Sequence, residues 1–138
     1  MAKNIKASIG HVGINLSNAG ESFKLWKDLA LYLGFKISAE EERHFDAGDG
    51  KSYICVNVTE DQYKADGFHR KRTGLGHIAF RVSSPEEVDA FVRDFLEPRK
   101  IQSLYGGAKE YPQYMPGYYA VYFEDPDRIK IEIVYEPL

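Results

Sequence analysis

A repeated strand motif constrains the fold of this 138-residue chain more than any other feature of its sequence. The segment GHVGINLSN at 10–18 matches GHIAFRVSS at 76–84 without a gap, at a constant offset of 66 residues. A repeat of this kind indicates that one supersecondary unit has been built twice and that both copies fold alike. We therefore expect two equivalent modules, each beginning with the repeated strand.

The same offset continues into the segments that follow the two strands. Asn18 and Ser84 are favourable helix N-cap residues. Each is followed three positions later by a glutamate, Glu21 in the first half and Glu87 in the second. In this capping-box arrangement, the cap side chain and the glutamate satisfy backbone N–H groups reciprocally. Because apolar residues then recur at helical spacing, the pattern predicts one helix in each module, starting at equivalent points.

Three strand-like stretches follow each predicted helix. They lie at 35–41, 42–47 and 51–58 in the first half, and at 99–105, 117–124 and 129–135 in the second. Each half then has the order β-α-β-β-β, and the chain is predicted to belong to the α+β class. We place the modules at 8–58 and 74–135, joined by a polar connection at 59–73, within a single domain spanning 1–138.

Alternation assigns each strand residue to one face of a sheet, because successive side chains point to opposite sides. In the first strand Val12, Ile14 and Leu16 share an apolar face, and the other central strands alternate in the same way. The apolar faces must pack on the helices, which leaves small, polar and ionisable groups on the second face. Built twice, this pattern predicts a curved, cup-shaped mixed sheet with the helices on its outer side. We call the polar side the cup face, and its candidate functional residues are His11, Asn15, His44, Tyr53, Cys55, His77, Arg81, Tyr122 and Glu132.

Three cup-face residues form a candidate metal site. The repeat equates His11 with His77, and Glu132 lies on the same face of the last predicted strand. Two imidazoles and one carboxylate bind Fe(II), Mn, Zn or Ni and leave coordination positions open for a substrate. A single strand histidine is commonly a hydrogen-bonded structural residue, and a single glutamate is commonly solvated. The residues by themselves therefore leave both a metal site and a structural role open.

Charge and composition exclude several classes of protein. The formal net charge is −3, so no basic surface indicates nucleic acid or anionic lipid as a partner. No apolar run approaches the roughly 20 residues that span a bilayer, and the first residues lack the apolar core of a signal peptide. Cys55 is the single cysteine and cannot form an internal disulfide. We expect a globular cytoplasmic protein without a membrane or nucleic-acid partner.

The repeated strands, the paired β-α-β-β-β modules and the final hairpin YYAVYFEDPDRIKIEIV resemble the vicinal oxygen chelate superfamily. That superfamily includes glyoxalases, bleomycin resistance proteins and dioxygenases. The resemblance covers roughly residues 8–136. It implies that His11, His77 and Glu132 hold one divalent ion (Zn, Mn, Fe, Ni or Co). It also implies a small-molecule substrate and a homodimer.

Other cup-face residues are candidates for contact with the substrate. Tyr122 resembles the family's substrate-facing tyrosine, whereas His44 has either a substrate-contacting or a structural role. Arg81 is suited to a bidentate pair with a substrate carboxylate or phosphate, or else to an ion pair with an acid of the chain. Asn15 and Tyr53 point to the same side.

Three departures from the family pattern bear on the activity. Glyoxalase I has a fourth protein ligand at the position of Cys55, and a buried cysteine commonly serves as a small apolar filler. The loop YPQYMPGYY and the ending EPL lack the potassium loop and the final basic residue of the fosfomycin transferases. Arg128 replaces the usual glycine of the last turn, which predicts a tight or strained turn.

We therefore expect a metal-dependent enzyme of glyoxalase or dioxygenase type. Its open-sided ion would bind a small oxygen-rich substrate and stabilise the charge that develops on it. A lyase, isomerase, transferase or dioxygenase reaction is compatible with the sequence. The alternative is a protein that binds and sequesters a drug or metabolite without catalysis.

Overall fold

The computed structural model describes residues 4–137. These residues form two compact units whose boundary lies between Ala65 and Asp66. The boundary falls inside the predicted connection, at a 3₁₀ turn over Asp61–Asp66. Each module expected from the repeat is therefore contained in one unit.

The first unit consists of one helix and a four-stranded mixed sheet. Its elements are β1 (His11–Leu16), α1 (Glu21–Tyr32), β2 (Lys36–Glu41), β3 (His44–Gly48) and β4 (Tyr53–Val58). The strand order is β1-β4-β3-β2, with β1 parallel to β4 and the other pairs antiparallel. This pairing places His11 opposite Tyr53, and His44 opposite Asn57.

The second unit repeats this architecture. Its elements are β5 (Ile78–Arg81), α2 (Pro85–Phe91, continued by a π-helical segment over Val92–Leu96), β6 (Lys109–Glu110), β7 (Tyr119–Glu124) and β8 (Lys130–Tyr135). The strand order is β5-β8-β7-β6, with β5 parallel to β8 and the other pairs antiparallel. The order matches that of the first unit, as the repeat predicts, and the α+β class is confirmed.

In each unit the helix packs on the apolar face of its own sheet. In the first unit the ring of Phe23 in α1 meets Phe45 in β3 edge-on, with 5.0 Å between ring centres. In the second unit Phe91 in α2 lies 5.5 Å from Phe123 in β7, and both side chains are buried. Burying a large apolar side chain contributes roughly 1.5–3 kcal/mol. These contacts therefore fix which face of each sheet is turned away from the helix.

The helices of the two units start differently, which corrects one prediction. Ser84 caps α2 as expected, because its Oγ accepts a hydrogen bond from the N–H of Glu87. Asn18 is not the N-cap residue of α1: the helix begins at Glu21, and Gly20 is its N-cap. The side chain of Asn18 accepts hydrogen bonds from the N–H of Gly20 at 3.0 Å and from that of Ser22, inside the helix, at 3.4 Å. Within residues 4–137, no helix is long and apolar enough to cross a bilayer.

The stretch 99–105 is not a strand, which corrects a second prediction. The chain forms turns there, and the backbone φ is positive at Lys100 (55°) and at Tyr105 (58°). A non-glycine residue with positive φ cannot continue an extended strand. The second strand of the second unit is therefore the two-residue β6. The remaining residues at 104–118 form a long loop beside the cup face.

The turn between β7 and β8 is strained, as the missing glycine predicts. Arg128 has a φ of 68°, in the region that favours glycine. Oδ1 of Asp125 accepts hydrogen bonds from the backbone N–H groups of Asp127 and Ile129, each at 2.8 Å. These bonds hold the turn, and with it the register that places Glu132 in the middle of β8.

Candidate functional site

Glu132 is the central residue of the candidate site in the second unit. Its side chain is 1% exposed, in the middle of β8. One carboxylate oxygen accepts a hydrogen bond from the Tyr118 hydroxyl, and the other lies 3.2 Å from Nε2 of His77. A buried carboxylate is costly unless partners of this kind compensate for its lost hydration. The result is a fixed carboxylate facing a histidine side chain that is 46% exposed.

Two tyrosines adjoin this carboxylate. Tyr122 is the cross-strand partner of Glu132, and its ring meets the His77 ring edge-on at 6.3 Å. Burial raises the pKa of both Tyr118 and Tyr122 well above the ordinary value near 10. The negative charge of Glu132 and the hydrogen bonds around it raise each pKa further. Both phenols therefore stay protonated at neutral pH and act as hydrogen-bond donors.

The cup face of the second unit is more apolar than predicted. A buried cluster covers it, formed by Tyr111, Ala120, Tyr122 and Val134 with Leu104 and Tyr118 packed against them. Three of these residues belong to the loop 104–118. Because that loop folds over β7 and β8, Tyr122 is only 5% exposed. The face predicted to be polar is therefore partly a second small core.

The His77–Glu132 pair fits two neighbouring ligands of a divalent ion. Ligand atoms about 2.0–2.2 Å from one ion and at right angles to each other lie roughly 3 Å apart. Nε2 and Oε2 are separated by 3.2 Å, and both atom types are donors that Fe(II), Mn and Zn accept. The same separation suits a direct ion pair. Among the described residues, no group of three or more His, Cys, Asp or Glu side chains is placed to hold a metal ion.

His11, the repeat equivalent of His77, is the first residue of β1 in the first unit. Its side chain is exposed, and its ring stacks on that of Tyr53 with 4.7 Å between ring centres. The predicted site residues His11 and Tyr53 are therefore neighbours in the first unit. His77 and Glu132 are neighbours in the second. Asn15 is exposed further along β1, on the face of His11.

His44 lies between two oxygen atoms in the first unit. Its Nδ1 is 2.7 Å from Oδ1 of Asn57, and its Nε2 is 3.0 Å from Oδ1 of Asp46. That Asp46 oxygen is buried and has no well-aligned hydrogen bond within residues 4–137, so its contact with His44 is a close approach of two polar atoms. These contacts support the structural alternative for His44. Asp46 was missed in the sequence, although its place between Phe45 and Ala47 puts it on the cup face.

Cys55 lies opposite Asp46 in the β3–β4 pair. Burial raises the pKa of its thiol, and the hydrogen bond and negative charge of Asp46 raise it further. Because the thiolate is the form that binds metals, a thiol held protonated is a poor ligand. The surroundings of Cys55, which is partly buried beside a carboxylate, therefore disfavour its use as a metal ligand.

Arg81 forms an ion pair within its own unit. Its Nη2 lies 2.9 Å from Oε2 of Glu136, and the arginine side chain is 58% exposed. An exposed pair of this kind contributes at most about 1 kcal/mol, so the guanidinium can exchange this partner for a ligand. The ion-pair alternative is thus present in the structure, and the substrate-binding alternative is compatible with it.

A cleft of about 560 Å³ lies in the first unit. It is bordered by the start of β2 and by the β3–β4 turn, and its lining includes Lys36, Asp46, Lys51 and Tyr53. Two ammonium groups, a carboxylate and a phenol provide donors and acceptors for a polar small molecule. The first unit therefore has room for a ligand beside Tyr53.

Comparison with known proteins identifies the family to which this chain belongs. The model of the Glyoxalase/Bleomycin resistance protein/Dioxygenase superfamily matches residues 8–133. The chain belongs to this superfamily. The resemblance seen in the sequence is thereby confirmed over nearly the whole chain.

Individual relatives agree with this membership. A provisionally assigned glyoxalase from Bacillus halodurans is 37% identical, with a TM-score of 0.80 over 93% of this chain and 95% of that one. The uncharacterized protein YqjT of Bacillus subtilis is 28% identical over 124 residues, which cover 90% of this chain and 95% of that protein. Lactoylglutathione lyase from Agrobacterium tumefaciens has a TM-score of 0.66 at 16% identity over 96% of each chain. This last likeness shows a shared fold alone.

Proposed function

We propose that this protein is a metal-dependent enzyme acting on a small oxygen-rich substrate, with one divalent ion held by His11, His77 and Glu132. The observation that carries the proposal is the buried carboxylate of Glu132 facing the imidazole of His77. Tyr118 binds one oxygen of Glu132, which leaves the other directed towards His77. Hydrogen bonds of this kind orient metal ligands, and losing them typically weakens metal binding.

The case for His11 as the third ligand rests on the repeat. His11 holds the position in the first module that His77 holds in the second, at the offset of 66 residues. Its stacking on Tyr53 uses the ring face, so the two nitrogens stay at the ring edge. Superfamily membership supports a divalent ion without selecting the metal. A homodimer is part of the same proposal, and light scattering on the purified protein tests it.

The chemistry divides between the ion and the chain. A bound divalent ion acts as a Lewis acid that polarises oxygen atoms of the substrate. The chain keeps Tyr118 and Tyr122 protonated beside Glu132. Tyr118 donates its single hydroxyl proton to that carboxylate and thereby orients it. The buried cluster that includes Tyr111 and Val134 excludes water around Glu132. Electrostatic interactions are stronger in such a site than in water.

We expect the reaction to differ from that of glyoxalase I. Cys55 stands where that enzyme has its fourth ligand, and its thiol is held protonated. Glu124 at the end of β7 is the acid that could replace this ligand, but it is already paired with Arg70 at 2.6 Å and with Arg128 at 3.2 Å. The hemithioacetal of methylglyoxal and glutathione should therefore be turned over with a kcat/KM below about 10⁴ M⁻¹s⁻¹. The assay is run with Ni, Zn, Co and Mn in turn, and a higher value with any of them contradicts this expectation.

Metal analysis of protein purified without added metal tests the proposed site. We expect one divalent ion per chain in the wild type and its loss in the variants His11→Ala, His77→Ala and Glu132→Gln. Glutamine preserves the acceptor for the Tyr118 hydroxyl, so Glu132→Gln removes the charge without leaving that donor unpaired. His44→Ala is the matched control, because His44 already contacts Asn57 and Asp46. Full metal retention in Glu132→Gln, or loss in His44→Ala alone, would overturn the site.

The second candidate function is sequestration of a small molecule without catalysis. The cleft beside Tyr53 in the first unit favours it, since that cleft is large enough for a metabolite and needs no metal. A thermal-shift screen of α-oxoaldehydes, catechols and phosphonates, with and without metal, separates the two functions. A ligand that stabilises the metal-free protein and is recovered unchanged supports sequestration.

A further inference from the structure

Arg128 holds a backbone conformation that is strained for any residue with a side chain. Its φ of 68° lies in the left-handed region, where glycine is unstrained. Strain of this kind persists only when the surrounding structure holds it, and it is commonly found at functional sites. The ion pair that the arginine forms with Glu124, at 3.2 Å, involves an arginine side chain that is 58% exposed. Because exposed pairs contribute little to stability, the pair alone does not account for an arginine in this turn.

The guanidinium of Arg128 belongs to a continuous group of charged and polar side chains in the second unit. Nη1 of Arg70 lies 2.6 Å from the same carboxylate oxygen of Glu124, and the Arg70 side chain is only 12% exposed. Arg70 also forms a hydrogen bond with the Tyr105 hydroxyl, to which Nζ of Lys130 donates at 2.8 Å. We call these five residues the basic cluster. Its three cations are thereby held close together around one carboxylate and one phenol.

The basic cluster and the segments that carry it have a surplus of positive charge. Over residues 69–72 and 124–130, five lysine and arginine side chains stand against three carboxylates. One of these carboxylates, that of Asp125, is used by the turn, because its Oδ1 accepts two backbone N–H groups. The whole chain has a net charge of −3, so its remainder is strongly negative. The surplus of two positive charges is therefore a local feature that the overall composition conceals.

Two titratable side chains respond to this positive charge. Burial lowers the pKa of His69 below its ordinary value near 6.5, and the charges of Arg128 and of residues 70–72 lower it further. The hydrogen bond from Lys130 lowers the pKa of Tyr105, while burial opposes that shift. Neighbouring cations disfavour an imidazolium and favour a phenolate. Both shifts thus have the sign that a positive potential produces, and an anion is attracted to the same place.

The basic cluster has more hydrogen-bond donors than its own acceptors use. A guanidinium has five N–H donors and an ammonium has three. Glu124 engages one nitrogen of Arg70 and one of Arg128, and the Tyr105 oxygen engages one N–H of Lys130. Planar guanidinium groups match the oxygens of phosphate in bidentate geometry. The remaining donors are therefore of the kind that binds a phosphate group.

We propose that the basic cluster is a binding site for a small phosphate monoester, held by Arg70, Arg128 and Lys130. A phosphate monoester carries nearly two negative charges at neutral pH, which matches the local surplus. Arg70 is recessed, whereas Tyr105 beside it is 49% exposed, so the phosphate contacts the arginines and the organic part lies on the tyrosine ring. The ligand is small, because the negative remainder of the chain repels an extended polyanion. The inference goes beyond the proposed function, since none of these residues is a proposed metal ligand.

Isothermal titration calorimetry with phenyl phosphate tests the site. The protein is treated with a chelator and freed of it, so the result does not depend on the proposed metal centre. The variants Arg128→Gly and Arg93→Ala each remove one positive charge from the second unit. Glycine takes the φ of the turn without strain, so Arg128→Gly is expected to fold. Arg93 is the matched control, because it is 66% exposed and pairs with Asp94 at 2.9 Å, as Arg128 pairs with Glu124.

We expect phenyl phosphate to bind the wild type and to bind Arg128→Gly at least about 10-fold more weakly, the usual effect of losing a charged hydrogen bond. Lys130→Met should show a comparable loss, and Arg93→Ala should differ from the wild type by less than about twofold, because exposed charges are screened by salt. Phenol, which lacks the phosphate, should not bind. Absence of binding to the wild type, equal affinity in Arg128→Gly, or an equal loss in Arg93→Ala overturns the inference. Tighter binding of a DNA oligonucleotide than of phenyl phosphate overturns the assignment to a small ligand.

Discussion

The cup faces of the two units differ although both derive from one β-α-β-β-β module. In the first unit the face is polar and accessible: Tyr53 is 40% exposed, and His44 contacts Asn57 across the β3–β4 pair. In the second unit the loop 104–118 covers the corresponding strands, so Tyr122 is 5% exposed and Glu132 is 1% exposed. On the helix side, both sheets pack a buried aromatic pair, Phe23 on Phe45 and Phe91 on Phe123, although the two helices begin differently.

This difference shows how a repeated module acquires two chemical environments. The exposed face keeps its polar groups in contact with water, where charges are screened and ion pairs contribute little. The covered face holds Glu132 among phenols, where burial shifts the pKa of Tyr118 and Tyr122 strongly upwards. Strongly shifted ionisable groups concentrate at functional sites. The covered face is therefore where we place two of the three proposed metal donors, His77 and Glu132.

Replacing Tyr111 by alanine should have the largest effect on stability and gives the most direct test of this contrast. Tyr111 is 7% exposed and joins the loop to the buried cluster of the second unit. We expect Tyr111→Ala to lower the free energy of unfolding by about 3 kcal/mol, as for other buried aromatic truncations. Tyr53→Ala, on the accessible face, should cost less than about 1 kcal/mol. Urea denaturation measures both, and equal losses would show that the two faces are buried alike.

The sequence predicted the parts of this molecule that depend on periodicity. The offset of 66 residues located both modules, and alternation placed Glu132 and His77 on one face of the second unit. Loop residues carry no such signal, so Tyr118, which binds Glu132, was missed. The stretch 99–105 has strand-like composition, yet its turns take positive φ, which composition does not report. The alternation that placed His44 on the cup face also places Asp46 there, so Asp46 could have been predicted from the sequence.

Replacing the polar residue that precedes each helix should have an intermediate effect on stability. The two replacements compare the N-terminus of α1 with that of α2. Ser84 caps α2 through its Oγ, and its replacement by alanine should cost about 1 kcal/mol. Gly20 is the N-cap residue of α1, and Asn18 accepts hydrogen bonds from the N–H groups of Gly20 and Ser22. The bond from Ser22 is long, at 3.4 Å, so Asn18→Ala should cost about 0.5 kcal/mol. Thermal unfolding of the two variants measures the difference. A larger loss in Asn18→Ala would indicate that Asn18 is the true N-cap.

An effect of the opposite sign, a gain in stability, is expected on replacing Tyr111 by phenylalanine. The Tyr111 hydroxyl is buried and has no hydrogen-bond partner within residues 4–137. A buried polar group without a partner is destabilising, so Tyr111→Phe should raise the free energy of unfolding by about 1 kcal/mol at neutral pH. Tyr114, whose ring stacks on Tyr111 at 5.7 Å and is 60% exposed, provides the control. Tyr114→Phe should change stability by less than about 0.5 kcal/mol.

The pH dependence of that gain tests its cause. Burial raises the pKa of Tyr111 above its ordinary value near 10, so the folded state favours the neutral phenol. The unfolded chain therefore loses the Tyr111 proton first, and the wild type loses stability as the pH rises through 10 and beyond. Phenylalanine has no proton to lose, and the advantage of Tyr111→Phe should therefore widen above pH 10. Contributions from Tyr118 and Tyr122 cancel, because both proteins contain them. An advantage that stays constant above pH 10 would mean that the Tyr111 hydroxyl ionises as readily in the folded second unit as in the unfolded chain, and that the loop does not seal this face from water.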